Sequence, residues 1–497
     1  MLARVKSATL LGVEAIPLTV ECDIAPGLPQ IRTIGLPDAA VREAASRVRA
    51  ALRNAGFPIP PRRITISLAP ADLRKQGAAL DLPIALGILA AHGAVPSDRL
   101  DGLLVLGELG LDGGVRRVPG CLPAALMARR AGITEMLVPA ENGEEALAIP
   151  GPAVHGVRDL NEAVAVLRGA REPRRATEPA FCTPVAAGGP DLAEVRGQAH
   201  AKRALEVAAA GGHHLLMIGP PGCGKTMLAR RLPGILPPPG LEESIEITCV
   251  ASAAGLLREP GLLRDRPFRA PHHTISGIGL VGGGRGPRPG EVTLAHRGVL
   301  FLDEMAEFGR ATLDVLRQPL EDGEIVIRRA ERSTRLPARF TLVGAMNPCV
   351  CGNLGRSDRP CGCTPAQVAQ YRSRVSGPLL DRFEIQVEVP ALPVRDLAGT
   401  SSGEPSSSVA ARVAAARHRG TAYRAPPPSP AALRILHQAI QSLGLSARAH
   451  DAILRVARTI AHLEDAASIE PQHVAEAVQY RALERRVSAA IVDFARS

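Results

Sequence analysis

Toward its C-terminal end the chain repeats apolar residues at helical spacing. LRILHQAIQSLG, ARAHDAILRVARTIAHLE and QHVAEAVQYRALERR each line one face every three or four residues, which predicts a small helical bundle from about Ser429 onward. The middle of the chain has a different rhythm. There HHLLMIG, GVLFLDE and FTLVGAMN are short apolar runs, each ending in a polar residue. Such runs read as buried strands, and the C-terminal ends of strands are where open α/β sheets place ligands. The first part mixes both patterns, with VKSATLLGV and RITISLAP strand-like and helical segments near 39–55 and 81–92. Two polar stretches rich in Pro, Gly and Ser, 168–190 and 399–408, mark the joins. The expected organisation is a mixed α and β block over 1–168, a connection over 169–190, an α/β core over 191–398, a second connection over 399–428, and a helical unit over 429–497. Neither an internal repeat nor a long low-complexity tract is visible, which sets aside solenoids and propellers.

Composition bounds this picture. A length of 497 residues fits about three domains, and 46% hydrophobic with 22% charged residues is a globular balance. The sequence contains no run of 18 apolar residues that could span a bilayer, and the opening MLARVKSATLLGVEA has a Glu inside its apolar stretch and no small-residue cleavage site. The expectation is a cytoplasmic protein without a membrane partner. A formal charge of +10 fits a polyanionic partner, because Lys and Arg gain affinity by displacing counterions from phosphates, although a generally basic surface would give the same excess. Trp is absent and aromatics are 2%, so contact with a nucleic-acid backbone is favoured over base stacking.

Gly219–Thr226 reads GPPGCGKT, a G-x-x-x-x-G-K-[ST] match, between an apolar strand and the helical MLARRL. Gly219, Pro220, Pro221, Gly222, Cys223 and Gly224 would turn backbone N–H groups onto phosphates, Lys225 would reach the β- and γ-phosphates of ATP, and Thr226 would ligate Mg²⁺. An ordinary Gly-rich turn would lack that flanking strand and helix. GVLFLDE then delivers Asp303 to the metal and Glu304 to the attacking water. Asn347, closing FTLVGAMN, sits where its amide could orient that water, and without the other two motifs it would read as a turn residue.

Several long stretches in a fixed order carry a resemblance that covers nearly the whole chain. They are IGLPDAAVREAASRVRAAL, KQGAALDLPIALGILAA, VRGQAHAKRALEVAAAGGHHLLMIGPPGCGKTMLARRLPGILPP, RAPHHTISGIGLVGGG, SGPLLDRFEIQVEVP and LSARAHDAILRVARTIA. The sequence resembles the ComM/YifB family, AAA+ ATPases related to the magnesium-chelatase motor subunit. The fold this implies is an AAA+ P-loop parallel-sheet core with a helical lid, preceded by an α+β domain like that of Lon proteases, itself ribosomal-protein-like. By the same resemblance Arg382 in LLDRFEI matches the arginine finger, which reaches a neighbouring subunit's γ-phosphate, and Arg448 in LSAR matches a second sensor arginine carried by the lid. From spacing alone either would be a solvated charge. A finger acting in trans implies a ring, and the family suggests a hexamer. RAPHHTISGIGLVGGGRGPRPGE is similar to the clade's pore-facing insertion, in which Ile278, Leu280 and Arg285 could touch DNA. GEIVIRRAERSTRLPARF matches the hairpin before the sensor strand, with Arg328, Arg329, Arg332 and Arg335 as phosphate contacts or, equally on charge pattern, as a solvated face.

NPCVCGNLGRSDRPCGCTP holds two C-x-C pairs, Cys349 with Cys351 and Cys361 with Cys363, separated by nine residues. Four thiolates from two short loops could close a structural Zn²⁺ site, while free or oxidisable thiols remain the alternative. The other five cysteines, Cys22, Cys121, Cys182, Cys223 and Cys249, are scattered and read as free thiols. A Lon-type protease needs a Ser nucleophile and a Lys base. Alignment of KQGAALD and VPGCLPAA on that pattern puts Ala79 and Pro123 at the two positions, so no peptidase activity is expected, although Ser67 and Lys75 lie near. The function implied is an ATP-driven motor on single-stranded or branched DNA that promotes branch migration in natural transformation. A chelatase-type motor or a protein remodeller is the alternative.

Overall fold

The computed structural model describes residues 1–73, 75, 77–182, 189–259, 261–284, 288–328, 333–356, 359–391, 403–422 and 427–481. The N-terminal block is built on a seven-stranded mixed sheet. Its long hairpin, β1 (Leu2–Leu11) and β2 (Glu14–Ala25), turns at Gly12 and Val13 with Leu11 opposite Glu14. Alternation sets its faces: Ala3 and Val5 point into the core while Leu2, Arg4 and Lys6 face solvent. The sheet continues through β3 (Gln30–Ile34), β4 (Arg63–Ala69), β5 (Leu103–Val105), β6 (Glu135–Pro139) and β7 (Ala153–Val157), in the order β3-β4-β2-β1-β5-β6-β7. Against it lie α1 (Ala39–Asn54), started by the Asp38 side chain on the Val41 N–H, and α2 (Asp81–His92), which is apolar nearly all round and correspondingly buried.

The motor block carries five parallel strands, β8 (Leu215–Ile218), β9 (Phe268–Arg269), β10 (Val299–Leu302), β11 (Thr341–Met346) and β12 (Ile385–Glu388), in the order β9-β10-β11-β8-β12. The first strand of the block therefore lies between the last two, and the chain reverses direction across the sheet beside it. Ligands bind at such a switch point, outside the strand C-termini. The three apolar runs of the sequence are β8, β10 and β11, buried on both faces as their composition requires.

Among the described residues four helices pack as the C-terminal unit: α3 (Ser406–Ala422), α4 (Pro430–Leu443), α5 (Ala447–Leu463) and α6 (Pro471–Gln479). The first of these lies in the stretch read as a connection. Its Ser/Gly/Pro-rich lead-in hides an Ala-rich segment whose Val409, Val413 and Ala416 make one buried helical face. Residues 169–182 are likewise docked: Arg174 pairs with Val154, and Cys182 N–H donates to Leu262 O at 2.9 Å. The N-terminal block is fastened to the motor by a buried carboxylate, Glu145, which accepts from Ser252 Oγ at 2.5 Å, Leu122 N at 3.1 Å and Asn142 Nδ2 at 2.8 Å. The tip of its hairpin, Val13, joins the motor's core beside Leu336 and Leu280. Among the described residues no helix is long and apolar enough to cross a membrane.

Candidate active site

The loop Gly219–Thr226 follows β8 directly, and Gly222 and Gly224 take left-handed backbone angles (φ +77° and +97°) that a side chain would oppose. The helix beyond it begins at Lys225, so the first-turn N–H groups face the loop. Lys225 Nζ lies inside, donating to Gly219 O at 2.6 Å, Pro220 O at 2.9 Å and Asn347 Oδ1 at 3.3 Å, with Cys223 Sγ at 3.7 Å. Burial pushes this ammonium below lysine's ordinary value, against the opposing pull of Cys223, Asp303 and Glu304.

Asp303 and Glu304 leave the end of β10. Thr226 Oγ1 donates to Asp303 Oδ2 at 2.7 Å, so a hydroxyl and a carboxylate oxygen stand side by side. An octahedral Mg²⁺ with ligands at about 2.0–2.1 Å needs neighbouring oxygens roughly 2.9 Å apart, and this pair fits. Glu304 adopts left-handed angles (φ 50°, ψ 44°), an uncommon choice for a non-glycine residue and one that concentrates at functional sites. Its carboxylate is largely exposed, 4.0 Å from His273 Nδ1, and the His273 ring packs on His272 with centroids 4.1 Å apart. Sequence reasoning missed His273; its only signal was the paired histidines of RAPHHT. It also missed Tyr371, a buried side chain whose pKa is raised, by burial first and by the charges of Glu307 and Glu304 beside it. P-loop, acid pair and asparagine thus converge from three strand ends at one edge of the sheet.

The two arginines gather elsewhere. Arg382 sits three residues before β12, which pairs with β8 from Ile385 opposite Leu215. It therefore lies at the N-terminal edge of the sheet, a full strand away from its own P-loop. Its guanidinium is half-buried and paired with Glu321, its Nε has no partner, and burial followed by repulsion from Arg448 and Arg317 lowers its pKa from arginine's usual value. The structure brings Arg448, at the start of α5, within electrostatic reach of Arg382.

Of the expected DNA contacts, Ile278 is 66% exposed, but Leu280 is fully buried with Val292 and Leu336. This corrects the expectation for Leu280: Gly277–Val281 is a single turn of helix capped by Ser276, and residues two apart on a helix, such as Ile278 and Leu280, point to opposite sides. Arg328 is exposed at the end of a hairpin strand, and Arg335 pairs with Glu324 at 3.0 Å. Arg285, Arg329 and Arg332 lie outside the described residues. In the N-terminal block Ala79 is half-buried, Pro123 is buried, and the Lys75 ammonium is buried against the Pro70 carbonyl.

Just past Asn347 the four clustered cysteines meet, with all four Sγ atoms within 4.8 Å of one another. Cys349 and Cys351 are 3.5 Å apart, Cys349 and Cys361 3.6 Å, and Cys351 and Cys361 3.5 Å. A tetrahedral Zn²⁺ with Zn–S of about 2.3 Å sets sulfurs roughly 3.8 Å apart, so this donor set fits the ion. Hydrogen bonds from the Asn353 backbone and the neighbouring thiols pull Cys351 down, while Cys361 and Cys363 of the same cluster are raised.

A five-stranded parallel sheet with a P-loop at its switch point, an acid pair two strands over, the Asn347 strand between them and a helical unit behind defines an AAA+ ATPase of the magnesium-chelatase type. Three family models agree: one described as magnesium chelatase, subunit ChlI, matches 191–397, its C-terminal counterpart matches 403–481, and one described as subunit ChlI of Mg-chelatase matches 20–142. Within that class the chain belongs to the ComM/YifB family. It is 44% identical to the uncharacterized protein YifB of Salmonella typhimurium and 44% identical to competence protein ComM of Haemophilus influenzae, in both cases over 97% of this chain and 98% of the relative. Similarity to the 38 kDa magnesium-chelatase subunit of Cereibacter sphaeroides is lower, 27% over 39% of this chain and 56% of that protein.

Proposed function

We propose that this chain is a ring-forming, hexameric, ATP-driven DNA motor that promotes branch migration of recombination junctions during natural transformation.

 Full-length identity to a protein named for competence is the observation that carries this reading. The net charge of +10 and the exposed Ile278 and Arg328 support a DNA partner. The arginines support a ring: Arg382 lies at the sheet edge opposite its own P-loop, the position from which a finger would serve a neighbouring subunit's γ-phosphate, and Arg448 is beside it.

In this reading Lys225 and the loop N–H groups bind the phosphates, and Thr226 with Asp303 holds Mg²⁺. The ion, when bound, neutralises charge on the phosphate oxygens. Glu304 orients and polarises the attacking water, Asn347 fixes its position, and the neighbour's arginine finger offsets the charge that develops. A structural Zn²⁺ on Cys349, Cys351, Cys361 and Cys363 belongs to the same proposal. It stiffens the chain beyond Asn347 and takes no part in the chemistry.

The second reading is a chelatase-type motor, favoured by the descriptions of the family models. One of them covers 20–142, so the N-terminal block does not by itself separate this chain from chelatase subunits. Steady-state ATP hydrolysis with and without a four-way DNA junction distinguishes the two. The DNA-motor reading expects stimulation by the junction that fades as salt rises. A rate indifferent to every DNA tested overturns it in favour of the chelatase-type reading.

A further inference from the structure

The cysteine knuckle does more than decorate the surface beside the ATP site. Cys349 is fully buried only two residues after Asn347, whose Oδ1 accepts from Lys225 Nζ at 3.3 Å. Gly352, held at φ +76°, packs on the phosphate loop so closely that an added Cβ would stand 2.6 Å from Pro221 Cδ and 2.9 Å from Pro221 Cγ. The helix that leaves the knuckle, Pro365–Arg372, begins with a Thr364–Gln367 capping box directly after Cys363. It returns to the same place: Arg372 Nε donates to Pro348 O at 3.2 Å. The knuckle therefore touches the phosphate loop on one side and the strand end bearing Asn347 on the other.

We propose that the four-cysteine knuckle, with zinc bound, is a strut that holds Pro221 and Asn347 in the nucleotide-binding arrangement, so that metal occupancy sets affinity for ATP. This rests on the zinc and ATP readings above. Closing four thiolates on one ion fixes the two loops that carry them, and binding free energy of a structural zinc appears as local folding free energy. Without the ion, the turn around Gly352 loses the constraint that presses it against Pro221. The phosphate loop must then be ordered at the expense of nucleotide binding.

The test uses the full-length protein, elemental analysis for zinc, and titration with a fluorescent ATP analogue under non-hydrolysing conditions, with Lys225→Ala as the non-binding control. One zinc per chain is expected. Stripping wild type with a zinc chelator, or substituting Cys361→Ser, should weaken analogue binding about tenfold. Adding zinc back should restore the stripped wild type and leave Cys361→Ser weak. Gly352→Ala, which leaves every sulfur in place, should keep its zinc and still lose affinity by several-fold, because its new methyl group collides with Pro221. Stripped protein that has lost its zinc and binds the analogue as before overturns the strut. So does Gly352→Ala with full affinity, or weakening that comes only with loss of the far-ultraviolet circular dichroism of the whole fold. A protein that takes up no zinc overturns the metal reading instead, and zinc-loaded wild type that ignores the analogue overturns the ATP reading.

Discussion

Lys225 shows how much of a site one residue can carry. Its ammonium is the meeting point of the loop carbonyls and Asn347, and it is buried at the cost of a lowered pKa. Lys225→Ala should therefore abolish ATP binding. Glu304→Gln should leave binding near wild type and slow hydrolysis by about a hundredfold or more, since only its action on water is lost. Binding isotherms beside single-turnover rates check both, and a Glu304→Gln enzyme that hydrolyses at the wild-type rate would remove Glu304 from the mechanism. The residues of the ATP site were legible because each follows an apolar strand at a fixed offset, and the chemistry needs that offset. Leu280 was misread because which side of a one-turn helix faces out is decided by the neighbours it packs on, here Val292 and Leu336, and no spacing reveals them. His273 went unseen because it approaches Glu304 from a segment 31 residues earlier in the chain.

At the scale of elements, strands were legible from their apolar runs and helices from their stripes, whereas α3 was masked by the Ser- and Gly-rich lead-in before it. What joins the elements was not legible at all. His213, at the turn before β8, meets Thr459 of α5 through Nε2 at 2.8 Å and so ties the motor to the helical unit. Complete burial pushes the imidazole from 6.5 down to about 4. In the window between those values the unfolded chain binds the proton and the folded one does not. Stability from this residue is thus complete above pH 6.5 and falls as the pH drops toward 4, by about 3 kcal/mol. His214 is shifted in the same direction by burial and adds to the slope. Thermal unfolding between pH 7 and pH 5 should show the midpoint falling, and His213→Gln should flatten that fall; an unchanged slope in the variant would show that His213 is not a source of it.

For the molecule as a whole, the defining feature is the separation of Glu304 and Arg382 to opposite edges of one sheet. The sequence suggested it only through family resemblance, since the distance between the edges depends on strand order and register. In the proposed ring the two edges meet across subunits. Arg382→Ala and Glu304→Gln should each be nearly inactive alone. Mixed before assembly, they should recover up to about a quarter of the wild-type rate, because some interfaces then pair an intact glutamate with an intact arginine. No recovery at any mixing ratio would argue that both residues act within one subunit.

The claim that joins these scales is that hydrolysis at Lys225, Asp303 and Glu304 does mechanical work on branched DNA. Its most direct test follows the strands of a labelled four-way junction over time with ATP, wild type beside Glu304→Gln. The account predicts ATP-dependent conversion of the junction into duplex products by wild type and none by the variant. A wild-type enzyme that hydrolyses ATP while the junction stays intact would contradict it.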